Sequence, residues 1–230
     1  VLLCALLGLP AGWFAGVLVD RIPDKQSLLA PFPWPRVDPL HGAVLFGTVA
    51  LFALAGHRFD AAPVGELAIV LVLITALMAL SVIDIQIQRL PDRIVAPTYV
   101  LVMGGIVAVS VANDQPERIR YALLGAAIWV FILGIGWLVG MGFGDVKAGG
   151  VMGLAVGWMG LSAPDALSLV LWSLIIGTVS ASVYGVVAKI VQLARIPREE
   201  RGRLWFAFGP FLAVGTVAVV LFSTAFLPST

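Results

Sequence analysis

The sequence predicts an all-α, polytopic membrane helix bundle of about eight transmembrane helices. Three observations predict it. Of 230 residues, 60% are hydrophobic and only 12% are charged, and the mean hydropathy is +1.05. Apolar runs of membrane length recur along the chain. Short segments carrying proline and charge separate them. A soluble domain of this size needs a far more polar surface.

The spans are expected at roughly 1–19, 41–56, 64–83, 94–112, 121–139, 146–161, 166–188 and 208–227. The first is read as a span and not as a signal peptide, because seven more follow it. The breaks are Arg21-Ile22-Pro23-Asp24, Pro31 to Pro39, Leu90-Pro91-Asp92-Arg93, and Arg195 to Arg203. The remaining connections are short, so residues 1–230 read as one transmembrane domain without a soluble appendage.

Orientation follows from Lys and Arg. The odd-numbered connections hold eleven of them and the even-numbered ones three: Arg58, Arg118 and Arg120. Positive charge collects on the cytoplasmic side, which puts the odd connections there. Asp84 opens the third connection and Asp145 closes the fifth, so both carboxylates are expected at the cytoplasmic face.

Carboxylates beside a hydrocarbon core are disfavoured, so each has a chemical task or a fixed partner. The plain alternative for Asp145 is a helix N-cap, and for Asp84 a polar end to a span. Gly140, Gly142 and Gly144 give Asp145 a flexible or closely approached backbone, beside which an extended substrate could lie. Gly149, Gly153 and Gly157 continue at four-residue spacing and turn Asp145 toward other helices. Gly8, Gly12 and Gly16, and Ser173, Gly177, Ala181 and Gly185, repeat that spacing as ordinary packing stripes. Spacing alone does not decide whether Asp84 or Asp92 partners Asp145. Asp84 adjoins the apolar run directly, whereas Asp92 lies between Arg89 and Arg93 as a solvated cap. The histidines, His41 and His57, are isolated and read as loop or interface residues. Cys4 is the one cysteine, which excludes an internal disulfide and a cysteine zinc site.

Ser81-Val82-Ile83-Asp84 with Gln88-Arg89-Leu90-Pro91-Asp92 resembles the first catalytic block of a known family, the prepilin peptidases or type IV leader peptidases. Gly142-Phe143-Gly144-Asp145-Val146-Lys147 resembles the Gly-x-Gly-Asp signature of their second block. Phe208-Gly209-Pro210-Phe211-Leu212-Ala213 is similar to a segment of the last span. Gly12 to Gly16 and Asp20 to Pro23 resemble the N-terminal block of longer members. On this resemblance, residues 1–60 correspond to that N-terminal block and 61–230 to the peptidase core. The resemblance implies Asp84 and Asp145 as the catalytic pair. It implies Gly142, Phe143, Gly144, Lys147, Pro91 and Asp92 as motif or substrate-binding residues.

The implied activity is aspartic endopeptidase cleavage of leader peptides from prepilins or pseudopilins, in a bacterial cytoplasmic membrane. No metal, organic cofactor or nucleic acid is implied. Longer members also N-methylate the new N-terminus and bind zinc through two Cys-x-x-Cys pairs. Here the corresponding connection, Asp24 to Leu40, has no cysteine. S-adenosylmethionine would be needed only if methyl transfer is retained. The alternative from another class is a secondary transporter that binds a cation or proton at the aspartates. It fits less well, because such sites lie near the midplane and are usually built on internal repeats. Within the pair, helix dipoles suggest that Asp84 holds the shared proton and Asp145 is the base. Asp84 ends its span, whereas Asp145 begins one, with Lys147 nearby.

Overall fold

The apolar runs fold into a bundle of α-helices in the computed structural model, which describes residues 1–27, 38–195 and 207–227. The helices are α1 (Leu2–Arg21), α2 (Pro39–Arg58), α3 (Val64–Ile87), α4 (Asp92–Ala112), α5 (Glu117–Leu138), α6 (Phe143–Trp158), α7 (Ala163–Arg195) and α8 (Gly209–Phe222). A 3₁₀ turn, Ser223–Ala225, follows α8. The expected break at Pro31 to Pro39 falls largely outside the described residues, and most of Arg195 to Arg203 does too.

Glycine builds three antiparallel hairpins. A Cβ on Gly8 would stand 2.7 Å from the Val49 Cα, and one on Gly12 would stand 2.9 Å from the Leu45 Cα, so α1 and α2 pack backbone to backbone. A Cβ on Gly153 would press on the Gly125 carbonyl of α5, and one on Gly157 would press on the Tyr121 carbonyl. The stripe that runs from Asp145 along α6 therefore faces protein, as its spacing predicts. A Cβ on Gly177 would lie 3.2 Å from the Leu212 Cα, which ties α7 to α8. Between membrane helices such close approach is the main source of packing energy, because lipid tails are as apolar as the side chains.

Among the described residues six helices are long and apolar enough to cross a membrane: α1 to α5 and α7. α6 has 16 residues, as many as the expected span 146–161 but starting earlier, and α8 has 14, fewer than the expected span 208–227. At 1.5 Å per residue α6 is about 24 Å long, shorter than a typical hydrocarbon core. It is not a lipid-facing element: Val146 and every residue from Ala148 to Trp158 are buried. It packs on α4, α5, α7 and α8, while α3 packs on α1, α2, α4 and α8. The two helices that carry Asp84 and Asp145 are thus central to the bundle.

A polar clamp pins the end opposite to the aspartates. Arg118, at the start of α5, is buried. It pairs with Glu66 at the start of α3 and donates through Nε to the Trp158 carbonyl at the end of α6, at 3.1 Å. Trp158 in turn donates from Nε1 to the Ser110 hydroxyl at 2.9 Å, and the Arg118 guanidinium lies 4.3 Å from the Trp158 ring centroid. Glu66 begins the helix that Asp84 ends, and Trp158 ends the helix that Asp145 begins. The clamp therefore holds α3 and α6 antiparallel, with both aspartates at one end of the bundle.

Candidate active site

Asp84 sits in the last turn of α3 and is buried. Its Oδ2 accepts the backbone N–H of Gly209, at the first residue of α8, at 2.9 Å. Gln88 follows in the left-handed conformation, with φ 51°, and stops the helix. The chain then turns through Leu90 and Pro91 into α4.

Asp145 lies in the first turn of α6 and is half-buried. Gly142 is the N-cap residue, and no side chain caps this helix, so Asp145 is not spent on capping. It lies within electrostatic reach of Asp84. The two carboxylates share one end of the bundle, one deeper and one nearer the surface.

The glycines before Asp145 have three separate reasons. Gly140 adopts φ +112°, a backbone conformation that glycine tolerates best, and it ends α5 with a turn. At Gly142 a Cβ would stand 3.3 Å from Oδ2 of Asp145 and crowd the carboxylate. At Gly144 a Cβ would stand 3.1 Å from the Leu90 Cβ and 3.4 Å from its backbone nitrogen. Leu90 also reaches the start of α8, with Cδ2 3.6 Å from the Cβ position of Gly209. The Asp84 loop, the Asp145 turn and the α8 N-terminus meet around this leucine.

Asp92 does not pair with Asp145. Its carboxylate is exposed and receives Lys147 Nζ at 2.8 and 2.9 Å. The Lys147 ammonium thus bridges α6 to α4 through Asp92. Asp92 starts α4 without making a side-chain cap; Pro91 is the N-cap residue. Phe143 is exposed, and its ring packs 5.5 Å from the Trp137 ring and 5.2 Å from Lys147 Nζ. Phe143, Lys147, Pro91 and Asp92 thus form a brace beside the carboxylates.

The dipole argument for acid and base also changes. Asp84 ends α3, yet it accepts an N–H from the N-terminus of α8. The positive end of α8 thus offsets the negative end of α3 at Asp84, while Asp145 faces the positive end of its own helix. His41 is not isolated either: it joins α1 to α2, with Nδ1 2.8 Å from Asp38 Oδ2 and Nε2 3.2 Å from Asp20 Oδ2. Among the described residues no three His, Cys, Asp or Glu side chains converge as a metal-ligand set.

Sequence reasoning did not single out Gly209 as part of the site. Its signal was the Phe208-Gly209-Pro210 segment, which marks a helix start with proline near the first position.

Residues 71–186, half of the chain, match the model of the type IV leader peptidase family. Matching relatives carry the name prepilin leader peptidase/N-methyltransferase. The protein of Burkholderia pseudomallei strain 1026b is 31% identical over 205 residues, covering 84% of this chain and 56% of the relative. That of Pseudomonas putida is 32% identical over 192 residues, covering 80% of this chain and 60% of the relative. That of Stutzerimonas stutzeri is 32% identical over 155 residues, covering 65% and 48% respectively. The chain thus matches less than two thirds of the length of these relatives. No solved structure matches the chain.

Proposed function

The chain belongs to the type IV leader peptidase family, and we propose that it is an aspartic endopeptidase that removes leader peptides from prepilin-like or pseudopilin substrates. The observation that carries this reading is the pair Asp84 and Asp145, brought from two central helices to one end of the bundle within electrostatic reach. Water attacks the scissile carbonyl. One carboxylate takes a proton from the water as general base, and the other, protonated, gives its proton to the carbonyl oxygen. Two close carboxylates do not both ionise cheaply, so the pair shares one proton and titrates as a unit. Collapse of the tetrahedral intermediate breaks the C–N bond, and the departing amine takes up a proton. The side chains so assigned complete the reaction without metal or organic cofactor.

The half-buried Asp145 and its bare Gly142 leave an approach for an extended peptide. The exposed brace of Phe143, Lys147 and Asp92 borders that approach and would meet the substrate near the membrane surface. The site faces the cytoplasm in this reading, because eleven of the fourteen Lys and Arg residues lie in the odd-numbered connections. The membrane is the bacterial cytoplasmic membrane.

The names of the relatives include N-methyltransferase. For this chain only the peptidase step is assigned to residues. Co-expression with a panel of prepilins tests the reading. A mobility shift of at least one prepilin, with a new N-terminus at one bond, is expected. The same prepilins left at full length in every pairing would contradict it.

A further inference from the structure

We propose that Gly209 is a positioning residue for the reaction: its backbone N–H fixes the Asp84 carboxylate, and its missing side chain leaves room for that contact. The inference rests on the assignment of Asp84 to catalysis. Three observations carry it beyond that assignment. The bond from the Gly209 N–H to Oδ2 is 2.9 Å long, buried, and made across 125 residues of sequence. A Cβ at Gly209 would stand 2.8 Å from the same oxygen and 3.4 Å from the carboxyl carbon. A side chain there would have to displace the acid. Finally, the donor is held rigidly. The next residue is Pro210, near the start of α8. α8 is locked onto α7 where a Cβ on Gly215 would press on the Ser173 carbonyl and stand 2.8 Å from the Gly177 nitrogen.

The physical consequence is a fixed rotamer. Asp84 lies on a helix that ends one turn later, and a carboxylate there would otherwise sample several orientations. The Gly209 N–H holds one oxygen and leaves the other for water, substrate or the shared proton. A donor fixed by the backbone does not reorganise as charge moves during the reaction, which is the condition for efficient electrostatic catalysis. The glycine is therefore required for what it lacks as well as for what it donates.

An amide-to-ester exchange tests this without adding atoms. The full chain is synthesised in lipid nanodiscs with glycolic acid in place of Gly209, which removes the N–H donor and weakens the Phe208 carbonyl as an acceptor for the first turn of α8. The comparison is the same exchange at Leu212, whose N–H bonds the Phe208 carbonyl in the same helical turn. The ester at 209 is expected to lower kcat roughly ten- to hundredfold, the scale of a hydrogen bond to a charged group. KM should stay within about threefold, and the pH profile of kcat should be displaced. The ester at 212 should leave kcat and the pH profile near wild type. An unchanged kcat at 209, or an equal loss at 212, would overturn the role of Gly209. Asp84→Asn, run alongside, separates the two levels. If it retains cleavage, the catalytic assignment itself fails; if it is inactive while the 209 ester is fully active, only the positioning role fails.

Discussion

Gly144 lies directly against Leu90, so the turn that carries Asp145 rests on the loop that leaves Asp84. A Cβ at position 144 would meet the Leu90 Cβ at 3.1 Å and its backbone nitrogen at 3.4 Å. The second glycine of the Gly-x-Gly-Asp segment thus sets the spacing between the two halves of the site. Gly144→Val would separate them by forcing one loop outward. The expected result is loss of prepilin cleavage by at least about a hundredfold, as catalytic geometry tolerates displacements of only about 1 Å. The protein should remain in the membrane. Wild-type cleavage by this variant would show that the spacing is not set there.

The Lys147–Asp92 pair predicts a contrast within the same motifs. Both side chains are exposed, and a solvated ion pair contributes about 0–1 kcal/mol. Asp92→Asn and Lys147→Ala should each keep cleavage within about threefold of wild type under saturating prepilin. A complete loss in either would place the brace in the chemistry.

The clamp at the far end should matter for stability and little for chemistry. Arg118→Ala leaves the half-buried Glu66 without its partner and frees the Trp158 carbonyl. Removing one member of a fully buried pair costs about 3–5 kcal/mol, and the loss here is smaller because Glu66 keeps some contact with solvent. A lower unfolding temperature in detergent is expected, with cleavage retained at low temperature. An unchanged unfolding temperature would show that this end is held by packing alone.

Orientation is tested by labelling. The native Cys4 is buried. Gln26 follows α1 at the end that holds the aspartates, and Asn113 follows α4 at the opposite end; both are exposed. With the site facing the cytoplasm, an impermeant maleimide added to intact cells should modify Asn113→Cys and spare Gln26→Cys. The reverse pattern would invert the topology.

Much of this was legible in the sequence because membrane solvation is a strong constraint. Apolar runs must become helices in lipid, and the order of the spans put Asp84 and Asp145 at one end. Helix ends were less legible. α7 runs to Arg195, past the expected 188, since charged residues at a water boundary do not stop a helix; Lys189 donates to Gln192 at 2.9 Å within it. α8 ends at Phe222 and tightens into a 3₁₀ turn, although the apolar composition continues. Contacts between distant segments were invisible. The ammonium of Lys147 answers Asp92, 55 positions away. The donor to Asp84 is a backbone N–H, which no residue type announces.

The central claim is that Asp84 and Asp145 act as one catalytic pair. The most direct measurement is cleavage of a prepilin substrate by purified Asp84→Asn and Asp145→Asn variants in nanodiscs, each compared with wild type at equal amounts of folded protein. Each exchange keeps the shape and removes the ability to exist as a carboxylate or to hand on its proton. The account predicts that either variant alone abolishes cleavage, and that the double variant is no worse than the singles, as for groups that act as a unit. Substantial cleavage by either single variant would contradict it.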